Sequence, residues 1–446
     1  MSALPVVTAP RALRTPAVAE TVLDSGLRVL AVRKAGVPLA ELRLRIPLPC
    51  AGAALGERQD AVLTVLTETL LEGTGARPGP RVVEDLRGVG GAMAASADAD
   101  ALVISASGLS AGLAALLDVL ADVLTEAAHP KAAVRAAKER ISQELTIART
   151  VPGLVARTAI ARRAHGEHPY ARGLTTVEQI DALSAGAVRK AHAGCVRPRG
   201  ALLVIVSDRP AAGVLRLVEK ALAGWTGGKK VHPAPPLPAP APGPAWLVHR
   251  PGAVQSNLRL AGPGLPRQSV DYPALRLAVM VYGGYFSSRL VANIREDKGW
   301  TYSPGSALSV RPAGTTISVA AEVATAVSAA ALWETVHELG RMATVAVDLA
   351  ELDAARQYVL GTTALSLASQ AGLASAVLTM AAAGLDLAWL KEHQAQLLRV
   401  TAEDVLRVSQ AHLGPAHLTA AIVGDAEVVS APLSAVMSIV PASVEA

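Results

Sequence analysis

A chain of 446 residues, half of it apolar, is long enough for two to four domains, yet with aromatics at only 3% its cores must be built from Ala, Leu and Val. The formal charge of +5 is small for this length, and no basic stripe is interleaved with aromatics, so nucleic-acid binding has no support. Mean hydropathy is positive (+0.36), but no apolar run reaches the roughly 18 uncharged residues of a spanning helix. The run 114–128, for instance, is broken by Asp118, Asp122 and Glu126. A soluble chain without a membrane partner is the expectation.

The N-terminal stretch carries arginines but is broken by prolines and lacks a continuous apolar h-region, which favours a disordered arm over a signal peptide. Cys50 and Cys195 are far apart with no metal-ligand spacing, as expected of reduced thiols in a cytoplasmic protein. A strand pair is predicted at Leu27–Val32 and Leu39–Pro47, then a long helix over Asp60–Glu72 and a strand at Ala101–Gly108. Long Ala/Leu helices follow, and a capped helix and a strand close at Asp208.

Residues 227–244, G-G-K-K-V-H-P-A-P-P-L-P-A-P-A-P-G-P, forbid helix and central strand and favour an extended, semi-rigid spacer. They divide the chain into 1–226 and 245–446. The second part repeats the first: strands at Trp246–Arg250 and Ser256–Ala261, a helix from Pro273 to Tyr282 resuming at Ser287, a strand at Thr315–Glu322, and a final strand ending at Asp425. Ser184–Asp208 lies without gaps on Thr401–Asp425 at an offset of 217. Gly36…Leu42-Arg43-Leu44 lies on Gly252…Leu258-Arg259-Leu260 at an offset of 216. Two distant segments agreeing on nearly one offset indicate an internal duplication. Thr401-x-x-Asp404 reads as a capping box with Asp in place of Glu. Each half reads as an α+β sandwich, helices packed on a sheet.

The stretch Y-F-S-S-R-L-V-A-N-I-R-E-D-K-G-W-T-Y-S-P-G, residues 285–305, concentrates the candidate chemistry. Leu290, Ile294 and the stem of Lys298 recur at helical spacing, Gly299 is placed to end the helix, and Trp300-Thr301-Tyr302 reads as the start of a strand. Arg295 and Tyr302 can then converge on one ligand, a fork of donors beside a single O–H. On spacing alone, a glycine-capped amphipathic helix with Arg295 paired to Glu296 or Asp297 is the favoured reading.

The pattern S-R-L-x-x-x-I-R-E-x-K-G-x-x-Y resembles the second-half signature of the pitrilysin/insulinase family of zinc peptidases, including the mitochondrial processing peptidase type. D-S-G-L-R-V-L at 24–30, L-R-G-V-G-G at 86–91, H-P-Y-A-R-G at 168–173 and the close R-P-x-x-A-L-L-V-I-V-x-D extend the likeness over almost the whole chain. The fold it implies is α+β: two duplicated α/β sandwich halves of the processing-peptidase-like metallohydrolase type. It also implies that Arg295 and Tyr302 bind substrate backbone.

Catalytic members of that family carry H-x-x-E-H on the first long helix, two His ligands and a Glu base, with a third-ligand Glu on a later helix. Here Leu70-Leu71-Glu72-Gly73-Thr74 fixes the register, so Thr64 and Glu68 stand at the His positions, Thr67 at the base and Glu144 at the third ligand. A one-residue slip brings Val65 and Thr69 onto the ligand positions instead. The first histidine of the chain is His129, so neither register supplies an imidazole, no metal or catalytic residue is assigned, and Glu68 and Glu144 read as solvated or salt-bridged. His165, His168, His412 and His417 read as surface or turn histidines.

The resemblance is to a subunit that has lost the zinc motif and kept the Arg–Tyr pair. It implies a non-catalytic, substrate-binding subunit of a heteromeric zinc metallopeptidase, with zinc and base on an H-x-x-E-H-bearing homologue (heterodimer) and a peptide as substrate. A homodimer is open to the chain alone. The rival readings are a scaffold homologue without proteolytic role and an autonomous enzyme, for which no G-x-S-x-G or phosphate loop is present. The glycine-rich loop of the mitochondrial non-catalytic subunit is reduced to Gly283-Gly284, so targeting-peptide recognition is not implied.

Overall fold

A computed structural model describes residues 13–49, 53–241 and 243–444; the N-terminal arm up to residue 12 and Cys50 lie outside them. Two six-stranded sheets form, one on each side of the Pro-rich segment. The first contains β1 (Val18–Val22), β2 (Arg28–Arg33), β3 (Leu39–Pro47), β4 (Ala92–Ala97), β5 (Ala101–Leu109) and β6 (Leu202–Ser207), in the order β1-β2-β6-β3-β5-β4. The second contains β7 (Ala245–His249), β8 (Gln255–Pro263), β9 (Gly305–Arg311), β10 (Gly314–Ala324), β11 (Thr419–Gly424) and β12 (Ile439–Ala442), in the order β12-β7-β11-β8-β10-β9. With β1 and β12 set aside, the sheets correspond strand for strand, including the parallel pairs β2–β6 and β7–β11. The duplication is therefore one of topology as well as sequence. The outermost strands differ: β1 joins β2 antiparallel, whereas β12 joins β7 parallel.

Alternation fixes the faces. Ala40, Leu42, Leu44 and Ile46 of β3 enter the first core, while Glu41 and Arg43 face the other way and pair with each other. In the second half Leu258 and Leu260 enter the core, and Arg259 on the opposite face pairs with Glu322. The helices that matter below are α1 (Ala53–Thr69), α2 (Lys131–Ala148), α3 (Pro152–His165), α4 (Tyr272–Val279), α5 (Ser328–Thr344), α6 (Leu349–Ala368), α7 (Gln370–Ala382), α8 (Leu387–Arg399) and α9 (Ala402–His412). Helix α9 starts with the expected capping box, Thr401 and Asp404 each accepting from the other's backbone N–H at 3.0–3.1 Å.

Strands β6 and β11 are buried at every position, which requires a layer on both faces. The second layer comes from the other half. Leu373, Ala374, Val377 and Leu378 of α7 pack on Leu30, Val32, Val204 and Val206 of the first sheet. Val155, Ala156 and Ala159 of α3 pack on Val248, Ala421 and Val423 of the second. The halves thus exchange helices.

The H-P-Y-A-R-G stretch fastens the exchange. His168 Nε2 bonds the carbonyl of Pro235 in the spacer at 2.8 Å, and Arg172 pairs with Asp60 of α1 at 3.2 Å. The Tyr170 hydroxyl donates to Asp100 at 2.6 Å and accepts from Ala313 N, while the Arg311 guanidinium lies 3.6 Å above its ring. His168 therefore sits in a turn but is buried, not at the surface. His165 is likewise partly enclosed, whereas His417 is exposed in a short turn. Among the described residues no single helix is both long and apolar enough to cross a membrane; α6 and α7 meet length and composition only together, across a bend of 112°.

Candidate functional site

Helix α1 runs from Ala53 to Thr69, ending three residues before the predicted Glu72, because Gly73 turns the chain with φ +124°. Val65 and Thr69 are buried in the core, Thr69 bonding His129 Nδ1 at 2.8 Å, so the slipped register points its ligand positions inward. Thr64, Thr67 and Glu68 instead line an open cavity of about 500 Å³ under β4 and the 168–173 segment. The register set by Leu70–Thr74 is the one that faces a cavity.

The donors there do not suit zinc. Thr64 and Thr67 spend their hydroxyl protons on the carbonyls of Asp60 and Thr64, 2.8 and 2.9 Å away. Arg140 of α2 stands between the two carboxylates, donating one Nη to Glu68 and the other to Glu144 at 2.9 Å. A guanidinium fork thus takes the place a cation would hold, in a set with no imidazole. Among the described residues no group of three or more His, Cys, Asp or Glu is placed to hold a metal ion.

In the second half, the run after α4 does not stop at Tyr282 but widens into a π-turn over Met280–Gly284. A short helix at Arg289–Val291 and a second π-turn at Ala292–Asp297 follow, with Leu290 and Ile294 fully buried. Gly299 has φ +65°, its N–H bonding Arg295 O and that of Trp300 bonding Ile294 O, both at 3.0 Å. This is a Schellman-type end, one residue wider because of the π-turn. The strand expected at Trp300–Tyr302 is absent: Thr301 makes an isolated bridge to Val323, and β9 begins at Gly305. Pro304, lacking an N–H, prevents an earlier ladder.

The motif residues divide their tasks. Arg289 forms a two-pronged pair with Glu351 of α6 at 2.7 and 2.6 Å, holding that carboxyl below its ordinary range. Asn293 donates to Glu334 and Glu338 of α5, and Lys298 caps Asn293 Oδ1 at 2.6 Å. These residues anchor the segment. Arg295 and Tyr302 take no part in the anchoring, and their side chains lie against each other. The Arg295 guanidinium lies 5.0 Å from the Tyr302 ring centroid and 4.7 Å from that of Phe286, between two aromatic faces. Its Nε is 3.2 Å from Glu296, the local pairing that the spacing also allows, and no acceptor among the described residues takes its Nη groups. Tyr302 is 81% exposed and Phe286 59%. Phe286, the one phenylalanine of the chain, is the site residue the sequence reading passed over; its uniqueness beside an Arg–Tyr pair was the available signal.

The groove beside Arg295, about 500 Å³, is walled by Gly283–Phe286, Val291 and Ser303–Ala307. A Cβ on Gly283 would stand 2.9 Å from Ser306 Oγ, so glycine is what lets the π-turn lie against β9. The arrangement presents a flat cation and an exposed phenol at the edge of a sheet, groups able to donate to a peptide carbonyl.

The chain belongs to the insulinase family of peptidases. The family model described as insulinase (peptidase family M16) matches residues 64–176, and that described as peptidase M16 inactive domain matches residues 182–359. Among solved structures, a peptidase M16 inactive domain from Pseudomonas fluorescens is 23% identical with a TM-score of 0.80, over 91% of this chain and 98% of that one. A protease from Helicobacter pylori is 17% identical with a TM-score of 0.80, over 92% and 99%. The periplasmic protease PqqL from Escherichia coli is 15% identical with a TM-score of 0.76; 94% of this chain matches 46% of that one. These likenesses show the fold. No curated protein matches the chain.

Proposed function

We propose that the chain is a non-catalytic, peptide-positioning subunit that completes the active site of an H-x-x-E-H-bearing homologue, which would bring the zinc and the general base. The observation that carries this reading is the contrast between the two halves. The first has its ligand-position carboxylates tied to Arg140, while the second keeps Arg295 at an open groove with its guanidinium against the exposed Tyr302 ring. Arg295 would donate to a substrate carbonyl and Tyr302 would contact the peptide near the scissile bond or its oxyanion. Peptidases among its structural neighbours support peptide as the ligand class.

The test is hydrolysis of a quenched fluorescent peptide library by this chain, by its zinc-motif homologue, and by the two mixed. Activity confined to the mixture and abolished by a chelator is expected. Turnover by this chain alone would overturn the reading, and no gain on mixing would favour a scaffold role.

A further inference from the structure

A second cavity, of about 600 Å³, adjoins the Arg295 groove and shares Gly284, Ser306 and Ala307 with it. It lies between α4, β9, the elbow of α6 and α7, and the start of α8, and its walls are mostly apolar, including Leu308, Val310, Leu390 and the indole of Trp389. Its charged lining is Arg267 and Arg276, with no Asp or Glu. The Thr363, Ser366, Ser375 and Thr379 hydroxyls donate to helix carbonyls at 2.7–3.0 Å, so they are not spare donors.

Arg276 has a positioning partner but no counter-charge. Its Nη1 donates to His393 Nε2 at 2.9 Å, and that imidazole stacks on Trp389 at 4.7 Å and 8°. Burial and the neighbouring Arg276 and Arg267 hold the His393 pKa down at about 3, so the ring is a neutral acceptor. Arg267 has no ion pair among the described residues. Several other part-buried arginines have a carboxylate partner (Arg289 with Glu351, Arg259 with Glu322, Arg43 with Glu41, Arg172 with Asp60), and Arg163, which has none, donates instead to the backbone carbonyls of Ala241 and Pro244. A buried guanidinium such as Arg276, with a second cation beside it and no counter-charge, is costly unless an anion arrives.

We propose that this cavity binds a carboxylate-bearing ligand, with Arg276 and Arg267 supplying the counter-charge and the Trp389 wall receiving its apolar stem. A planar guanidinium fork matches a carboxylate, and two cations within apolar walls suit a small organic anion better than a heavily hydrated phosphate. The volume lies in the range of small-ligand pockets. The carboxylate comes either from a free organic acid or from an acidic residue or C-terminus of a peptide lying in the adjoining groove.

The experiment titrates the full chain with succinate, with its neutral counterpart succinamide, and with alanine-based peptides carrying Glu or Gln, ending in acid or amide. The readouts are the Trp389 indole NMR signal, assigned through Trp389→Phe, and anisotropy of labelled peptide. The expected result is a shift with succinate or with the acidic peptides but not with their neutral counterparts. Arg276→Gln and Arg267→Gln should each weaken it by about tenfold or more. Response to succinate alone identifies a free acid as the source; a preference for Glu or a free C-terminus identifies the peptide. Thermal melts establish that the variants fold, and Arg267→Gln, at a partly exposed position, serves if Arg276→Gln does not. Succinate binding needs no peptidase partner, so its result stands apart from the role of Arg295. A folded variant titrating like the parent chain, or no carboxylate moving the Trp389 signal, overturns the proposal.

Discussion

Arg295 is held by ring faces on two sides and by Glu296 at Nε, so its remaining donors are pre-organised before any peptide arrives. If it donates to a carbonyl that gains charge, Arg295→Ala should lower turnover of the assembled enzyme by about 10²–10³ while assembly persists. Full activity of that variant in the mixture would exclude the role. Arg140 makes the opposite case. Its pairs with Glu68 and Glu144 are roughly half exposed, so Arg140→Ala should cost under about 1 kcal/mol. Alone it should confer no zinc binding, whereas adding Thr64→His and Glu68→His restores two imidazoles one turn apart beside Glu144. Chelator competition measures both. The missing imidazoles were legible in the sequence because the motif is local. That Arg140, seventy-two positions from Glu68, fills the gap was not, since pairing between helices depends on how they pack.

Between α4 and β9, two π-turns and two glycines, Gly283 and Gly299, set where the groove residues point. Gly299→Ala meets no neighbouring atom, so its cost is conformational, about 1–2 kcal/mol for a side chain at φ +65°. Gly283→Ala should act differently, because its Cβ collides with Ser306 and pushes β9 from the π-turn. Peptide binding by anisotropy should fall more than stability does, and equal losses would indicate general damage. The glycine stop at Gly299 and the buried Leu290 and Ile294 were readable from period and residue type. The π-turns were not: one inserted residue per turn leaves no composition signal, and Pro304 outweighed the strand propensity of Trp300-Thr301-Tyr302.

Exchange of α3 and α7 makes each half's central strand depend on a helix from the other, so heat should unfold the chain in one cooperative transition. Two resolved calorimetric transitions would contradict that coupling. Acid should lower the stability of the first half, where His129 lies between Thr69 and His192. Burial, then the nearby His192 and Arg189, lower the His129 pKa from 6.5 to about 4. The native state therefore takes up fewer protons than the unfolded chain between those values. Stability is complete above about pH 6.5 and declines as pH falls toward 4, by at most about 3 kcal/mol for this group. His129→Asn, at a φ of +43° that Asn tolerates, should flatten the urea midpoint against pH in that window; an unchanged slope would exclude His129 as a source. The duplication and the proline spacer were plain in the sequence. The exchange was not, because Ala/Leu stripes on α3 and α7 state that a face is buried without saying against which sheet.

The outer strands carry a practical consequence. β12 and β9 border opposite sides of the second sheet, about 24 Å apart at five strand spacings, and β1 and β4 stand likewise in the first. A tether, dye or fused protein added near β12, at the border away from β9 and its groove, should leave the groove open, so pulling on the chain or watching it meet another molecule need not disturb the surface being measured.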